Sequence, residues 1–164
     1  MRIRPFTPED LEGCLGLLES NTPEHFVPGD DTLLSEFLSK TRGHYYVVEE
    51  DGRIVACGGM EQEPPPEEDV ATLCWGIVHA DAQRQGIGRA LTEHRLQQFL
   101  PGHPQVRRVR VNTTQKVQGF YERLGFKVVE VKRDHYAEGL DHVRLERTLE
   151  RAATASLDAP PGRK

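Results

Sequence analysis

Residues 77–91 combine features that could bind a charged ligand: two closely spaced glycines, two arginines, and a helix that opens behind a strand. The segment reads Ile77-Val78-His79-Ala80-Asp81-Ala82-Gln83-Arg84-Gln85-Gly86-Ile87-Gly88-Arg89-Ala90-Leu91. The first amides of a helix have no partner inside it and lie at the positive end of its dipole. Glycines let a bulky anion approach that backbone, and the combination is a phosphate cradle. Arg84 and Arg89 would add charge-assisted contacts. A P-loop needs Gly-Lys-Ser/Thr, which the segment lacks. A dinucleotide fingerprint needs a glycine or alanine where Leu91 stands and a shorter loop than Val78 to Gly86. Both readings fail on the residues. A plain glycine turn before a helix is the bland alternative.

What remains, Gln83-x-x-Gly86-x-Gly88, resembles the Q/R-x-x-G-x-G/A motif of the GCN5-related N-acetyltransferases (GNAT), which bind acetyl-coenzyme A. The preceding Trp75-Gly76-Ile77-Val78-His79-Ala80-Asp81 is similar to that family's strand and turn. Gly119-Phe120-Tyr121-Glu122-Arg123-Leu124-Gly125-Phe126 resembles its FYxxxGF ending. Ile3-Arg4-Pro5 and Pro8-Glu9-Asp10 look like its opening. The resemblance covers residues 1–149 and is sharpest at 73–91 and 112–126. It implies the acyl-coenzyme A N-acyltransferase fold, with acetyl-coenzyme A as co-substrate. Gln83, Arg84, Gln85, Gly86, Ile87, Gly88 and Arg89 would form the pyrophosphate loop. Ile77 and Val78 would line the pantetheine arm, and Asn112 would contact the cofactor from the end of the next strand.

Acetyl transfer from a thioester to an amine requires that the amine lose a proton, that the carbonyl be polarised, and that the departing thiolate be stabilised. By resemblance Tyr121 is the acid near the sulfur, and the Val78 amide polarises the carbonyl. Yet Val117, Phe120, Tyr121 and Leu124 follow helical spacing, so Tyr121 could equally face the core. Many relatives place a glutamate on the strand before the glycine loop or at the end of the strand preceding it. Residues 72–78 contain no carboxylate, a departure from that pattern. Glu61 is the nearest alternative base, and its bland reading is a solvated residue of an acidic loop. His79 is another candidate, but in the geometry the resemblance implies it sits on the wrong side of the strand end for the amine, and water could relay the proton instead. Cys74 as a nucleophile lacks a recognisable basic partner. His94, His103, His135 and His142 share no ligand spacing, so no metal is expected. Arg107-Arg108-Val109-Arg110 reads as a solvated or cofactor-facing strand rather than a nucleic-acid site.

These residues must be positioned by a regular scaffold. A strand is predicted at 2–6 and a helix after Thr7-Pro8, where Thr7 and Asp10 have capping-box spacing. A loop spans Asn21 to Asp31, and a second helix covers 31–41. His44 to Glu49 and Arg53 to Met60 form a hairpin about Asp51-Gly52. Glu61 to Asp69 reads as an exposed loop, and 71–79 as a strand on which Leu73, Trp75 and Ile77 alternate. A helix over Gly86–Leu100, a strand from Val106 to Asn112 and a helix over 115–124 with Gly125 as its cap come next. Strands at 126–131 and 142–149, separated by a polar loop, complete the pattern. The order β-α-α-β-β-β-α-β-α-β-β implies an α/β (α+β) mixed sheet with helices on both faces.

The chain has 164 residues, 37% apolar and 29% charged, enough apolar material for one packed domain. Its net charge of −5 gives no general attraction to nucleic acid or to an anionic membrane. No apolar run approaches a bilayer span, and Met1-Arg2-Ile3-Arg4-Pro5 does not open a signal peptide. Cys14, Cys57 and Cys74 sit in apolar stretches as reduced thiols, so a cytoplasmic location is expected. Residues 1–149 are expected to form the domain and 150–164 a flexible tail. In the family, the acceptor site is built by loops corresponding to Asn21–Asp31 and Arg133–Asp141. Glu24, Asp30 and Asp31 there, with the acidic stretch 61–69, would favour a cationic amine on a small molecule or a protein. A homodimer is compatible with the resemblance. The rival reading is a non-catalytic acyl-coenzyme A sensor on the same fold.

Overall fold

The computed structural model describes residues 1–40 and 43–151. Strands β1 (Arg2–Pro5), β2 (Tyr45–Glu50), β3 (Arg53–Gln62), β4 (Val70–Val78), β5 (Arg108–Thr113), β6 (Lys127–Ala137) and β7 (Leu140–Thr148) form one sheet. The helices are α1 (Leu11–Ser20), α2 (Asp30–Lys40), α3 (Ile87–Phe99) and α4 (Gln118–Arg123). The element order is the one expected, and the spatial order is β1-β2-β3-β4-β5-β7-β6. Only β4 and β5 pair in parallel, and α3 makes the crossover between them. All other pairs are antiparallel.

Alternation along the strands loads both faces. Cys57 on β3 packs with Cys14, Leu17, Leu34 and Leu38 of α1 and α2. Met60 of β3 and Leu73 of β4 pack instead with Phe99 of α3 and Tyr121 of α4. The sheet is therefore covered by α1 and α2 on one side and by α3 and α4 on the other. The N-terminal turn is fixed by Asp10, whose carboxylate accepts the Thr7 N–H at 2.8 Å and both terminal nitrogens of Arg4 at 2.8 Å. Arg4 holds the Asp10 carboxyl below the usual range. Gly125, at φ +93°, ends α4. Phe126 N–H bonds the Tyr121 carbonyl and Gly125 N–H the Glu122 carbonyl, a Schellman cap.

Three boundaries differ from expectation for local reasons. β3 continues through Glu61 and Gln62, which pair with Thr72 and Ala71, so Glu61 is a strand residue rather than a loop residue. The polar stretch expected as a loop between 131 and 142 is the tip of a long β6–β7 hairpin turning at Glu138-Gly139. β6 is an edge strand exposed along most of its length, so it carries little apolar alternation to announce it. Asp134 stabilises the irregular register by accepting the Gly139 N–H at 2.7 Å. The last helix is shorter than expected because Thr114–Val117 forms a turn before it. Of the expected tail, Arg151 donates to the carbonyls of Leu100, His103 and Val106, and 152–164 lie outside the described residues. No helix among the described residues is long and apolar enough to cross a membrane.

Candidate active site

The site begins where β4 and β5 part. Their parallel register ends at Leu73↔Val111, yet β4 runs on to Val78 and β5 to Thr113. Between Cys57 and Gly59 of β3, β4 advances from Ile77 to Cys74, so β4 carries the extra residue of a bulge. Trp75 takes φ +45° there, and the buried Tyr45 hydroxyl donates to its carbonyl at 2.9 Å. Leu73 consequently faces α3, while Trp75 and Ile77 face α1 and α2. The alternation read from the sequence thus breaks within the strand.

Beyond the bulge the ladder sets which backbone groups are offered. His79 N–H bonds the Val55 carbonyl, and Ala56 stands opposite Val78. By the alternation of antiparallel pairs, Val78 turns its N–H and carbonyl away from β3, toward the gap. The side-chain amides of Asn21 and Gln83 donate to the Val78 carbonyl at 2.9 and 3.1 Å. Gln83 also donates to Asn21 Oδ1 at 2.9 Å, so its side chain ties the loop to the end of α1. Ile77 is buried in the α1/α2 core.

The loop then delivers α3 with its free end at the gap. Arg84 and Gly86 adopt left-handed φ of +66° and +83°. The first helical bond runs from Ala90 N–H to the Gly86 carbonyl, leaving the amides of Ile87, Gly88 and Arg89 without helical partners. A Cβ on Gly88 would lie 3.2 Å from the Phe120 ring of α4 and 3.7 Å from a Val78 methyl, so the strand end, α3 and α4 meet here. A Cβ on Gly86 would meet nothing within 4 Å, so this backbone is open to an anion. Arg84 and Gln85 border the same turn, and Arg89 pairs with Glu93 at 3.4 Å on the exposed side of α3. The amide array suits a diphosphate.

On the α1/α2 face of the gap, Glu61, Thr72, Arg110 and Glu146 form one cross-strand row. Partial desolvation and the neighbouring Glu63 raise the Glu61 pKa, although the residue is exposed. The next row places Cys74 and Asn112 on either side of the opening. Asn112 Oδ1 accepts from His142 Nε2 at 2.9 Å and from Arg144 Nε at 3.0 Å. Burial pushes the Cys74 thiol up to about 12, with Glu61 adding to the effect, so thiolate at neutral pH is scarce. Cys74→Ala is expected to leave kcat within about twofold in a thiol-release assay, because no covalent step needs this sulfur.

Tyr121 is 7% exposed, its ring edge-on to Phe120 at 4.9 Å and to Phe126 at 5.6 Å. The ring is therefore buried in the α3/α4 core, as its helical spacing allows. Across the opening, Lys116 Nζ donates to the Glu24 carbonyl at 2.9 Å, and Asp30 raises the Tyr136 pKa after burial. The 21–31 loop and the β6–β7 hairpin thus face each other. Phe26 of the loop stacks on Trp75, with ring centroids 6.4 Å apart. His79 is engaged elsewhere, accepting the Asp81 N–H at 3.0 Å. Sequence reading missed the bulge and Arg95, a buried cation behind it; Gly76 inside a strand was the available signal.

Comparison with known proteins bears on the family and the fold. Residues 7–149 match the family model described as the acetyltransferase (GNAT) domain. An amino-acid acetyltransferase from Mannheimia succiniciproducens is 29% identical over 143 residues, covering 82% of this chain and 30% of that protein. The chain therefore spans under a third of the length of that curated relative. The ribosomal-protein-S18-alanine N-acetyltransferase of Escherichia coli superposes with a TM-score of 0.72 at 22% identity, over 91% of this chain and 94% of that one. An aminoglycoside 6'-N-acetyltransferase complexed with coenzyme A gives 0.72 at 16% identity, over 92% and 99% of the two chains. Both likenesses are of fold.

Proposed function

The chain belongs to the GNAT acetyltransferase family, and on that premise we propose that it moves an acetyl group from acetyl-coenzyme A to a primary amine by direct attack in a ternary complex. The observation that carries the proposal is the parting of β4 from β5, with the α3 amide cradle at one end and Glu61 on the opposite face. Gly86, Ile87, Gly88 and Arg89 would hold the pyrophosphate, assisted by Arg84 and Gln85. Gln83 would fix the loop that presents them. The pantetheine arm would run along Ile77 and Val78, whose N–H is offered to the gap, and Asn112 would border it from β5.

In the transfer step the amine lone pair attacks the acetyl carbonyl carbon and forms the C–N bond. The C–S bond then breaks and its electron pair leaves on sulfur. Glu61 accepts the amine proton, directly or through water, and the Tyr121 hydroxyl supplies a proton to the thiolate. The Val78 N–H polarises the carbonyl. Carboxylates of Glu24, Asp30, Glu61 and Glu63 around the opposite mouth favour a cationic amine, borne by a small molecule or a protein.

Glu61→Gln tests the assignment. With a turned-over amine, kcat/KM at neutral pH is expected to fall about a hundredfold, the order general base catalysis contributes. Because partial desolvation raises the Glu61 pKa, the wild-type acid limb should lie above the usual carboxylate value of about 4.3, and it should vanish in the variant. An unchanged limb would contradict the role. The lack of a carboxylate along Thr72–Val78 favours the sensor alternative. That reading requires tight acetyl-coenzyme A binding with no thiol release across a panel of primary amines.

A further inference from the structure

Arg95 lies on the sheet-facing side of α3 and is 2% exposed. Nη1 donates to the Gly59 carbonyl at 3.1 Å and Nη2 to Thr92 Oγ1 at 3.3 Å, while Nε has no partner. The ion pairs among the described residues use Arg2, Arg4, Arg89, Arg108 and Arg110, never Arg95. A buried cation without a counter-charge is costly, and a well-packed apolar side chain would ordinarily be better there.

The backbone makes room for this charge at two glycines. A Cβ on Gly58 would lie 2.8 Å from Nη1, and one on Gly76 would lie 3.2 Å from Nη2. Gly76 follows Trp75 in the β4 bulge, so the guanidinium sits directly behind the stretch of β4 that borders the gap. Its field crosses the sheet, where it favours the ionised forms of Cys57 and Cys74 against their burial. Cys74 stands at the opening itself. The other titratable groups facing this region are Glu61 on β3 and Glu63 just after it, Tyr45 on β2, whose hydroxyl donates to Cys57 Sγ at 3.1 Å, Cys14 on α1, and Tyr121 on the α4 side.

We infer that Arg95 is a positioning residue for the transfer step, holding the β4 bulge from behind and supplying the fixed positive charge toward which a thiolate leaving group develops. This rests on the acetyl-coenzyme A reading above. As the C–S bond breaks, the electron pair moves to sulfur. Arg95 stabilises that charge without giving up a proton, since a guanidinium stays protonated. A preorganised charge in a water-poor site needs no reorganisation when the negative charge appears.

The test reads the thiol of bound coenzyme A directly. Thiolate absorbance is titrated with pH as the difference between protein carrying coenzyme A and protein carrying desulfo-coenzyme A. In the wild type the bound thiol should show about tenfold more thiolate at a given pH than free coenzyme A, one pKa unit. Arg95→Met should remove that excess and lower kcat about tenfold, with KM for acetyl-coenzyme A changed less than about threefold. Arg95→Lys should retain most of the excess. A thiol that titrates alike in Arg95→Met and wild type overturns the inference. If Arg95→Met does not fold, the wild-type titration decides, and a bound thiol no more acidic than the free one overturns it. Failure of the wild type to bind coenzyme A at all would overturn both this inference and the reading beneath it.

Discussion

Gly86→Glu is expected to weaken acetyl-coenzyme A binding by about a hundredfold while the domain still folds. Two effects add. Gly86 holds φ +83°, and a non-glycine residue in the left-handed region costs about 1–2 kcal/mol. The new carboxylate also stands at the mouth of the amide cradle, where it faces the diphosphate. Two unit charges about 4 Å apart near a protein surface interact by roughly 4 kcal/mol, and a flexible exposed side chain relieves much of that. A net loss of about 2–3 kcal/mol corresponds to roughly a hundredfold in Kd. Nothing lies within 4 Å of a Cβ at this position, so sterics do not threaten the fold. Gly86→Ala carries the backbone strain without the charge. It should share the fall in Tm and lose only a few-fold in affinity. Calorimetric titration of both variants separates the two effects, and wild-type affinity in Gly86→Glu would place the ligand elsewhere.

Tyr121→Phe is expected to lower kcat by about ten- to a hundredfold with little loss of stability. The ring packs against Phe120 and Phe126, and phenylalanine keeps both contacts. A single hydroxyl contributes about 1 kcal/mol or less to folding when its loss leaves no partner stranded. General acid catalysis contributes more than that, so the two roles separate by size. Acyl donors whose thiols are better leaving groups should be less sensitive to the substitution. Equal kcat in variant and wild type across the pH range would leave Tyr121 as a core residue alone.

Much of the scaffold is legible in the sequence because its signals are local. Asp51-Gly52 announces the β2–β3 hairpin, Thr7 and Asp10 the first helical turn, and Gly125 the end of α4. Gly86 and Gly88 are legible for separate reasons, one a left-handed φ and the other the approach of Phe120. What resists reading depends on distant partners. Leu73, Trp75 and Ile77 look like one face of a strand until an extra residue turns the last two over. The β6–β7 tip reads as a loop because an exposed edge strand has no buried side to impose alternation. Glu61 joins β3 only because Thr72 and Ala71 extend the pairing opposite it. Arg95 falls on a helix among polar neighbours, and no periodicity reveals that its guanidinium is buried behind Gly58 and Gly76.

The most direct test of the central claim is a thermal-unfolding scan with and without acetyl-coenzyme A. A ligand at a hundred times its Kd stabilises the folded state by about 2.7 kcal/mol. For a domain of this size the account predicts that Tm rises by about 5–10 °C. An unchanged Tm at millimolar acetyl-coenzyme A would contradict it, because the gap between β4 and β5 would then not be the donor site.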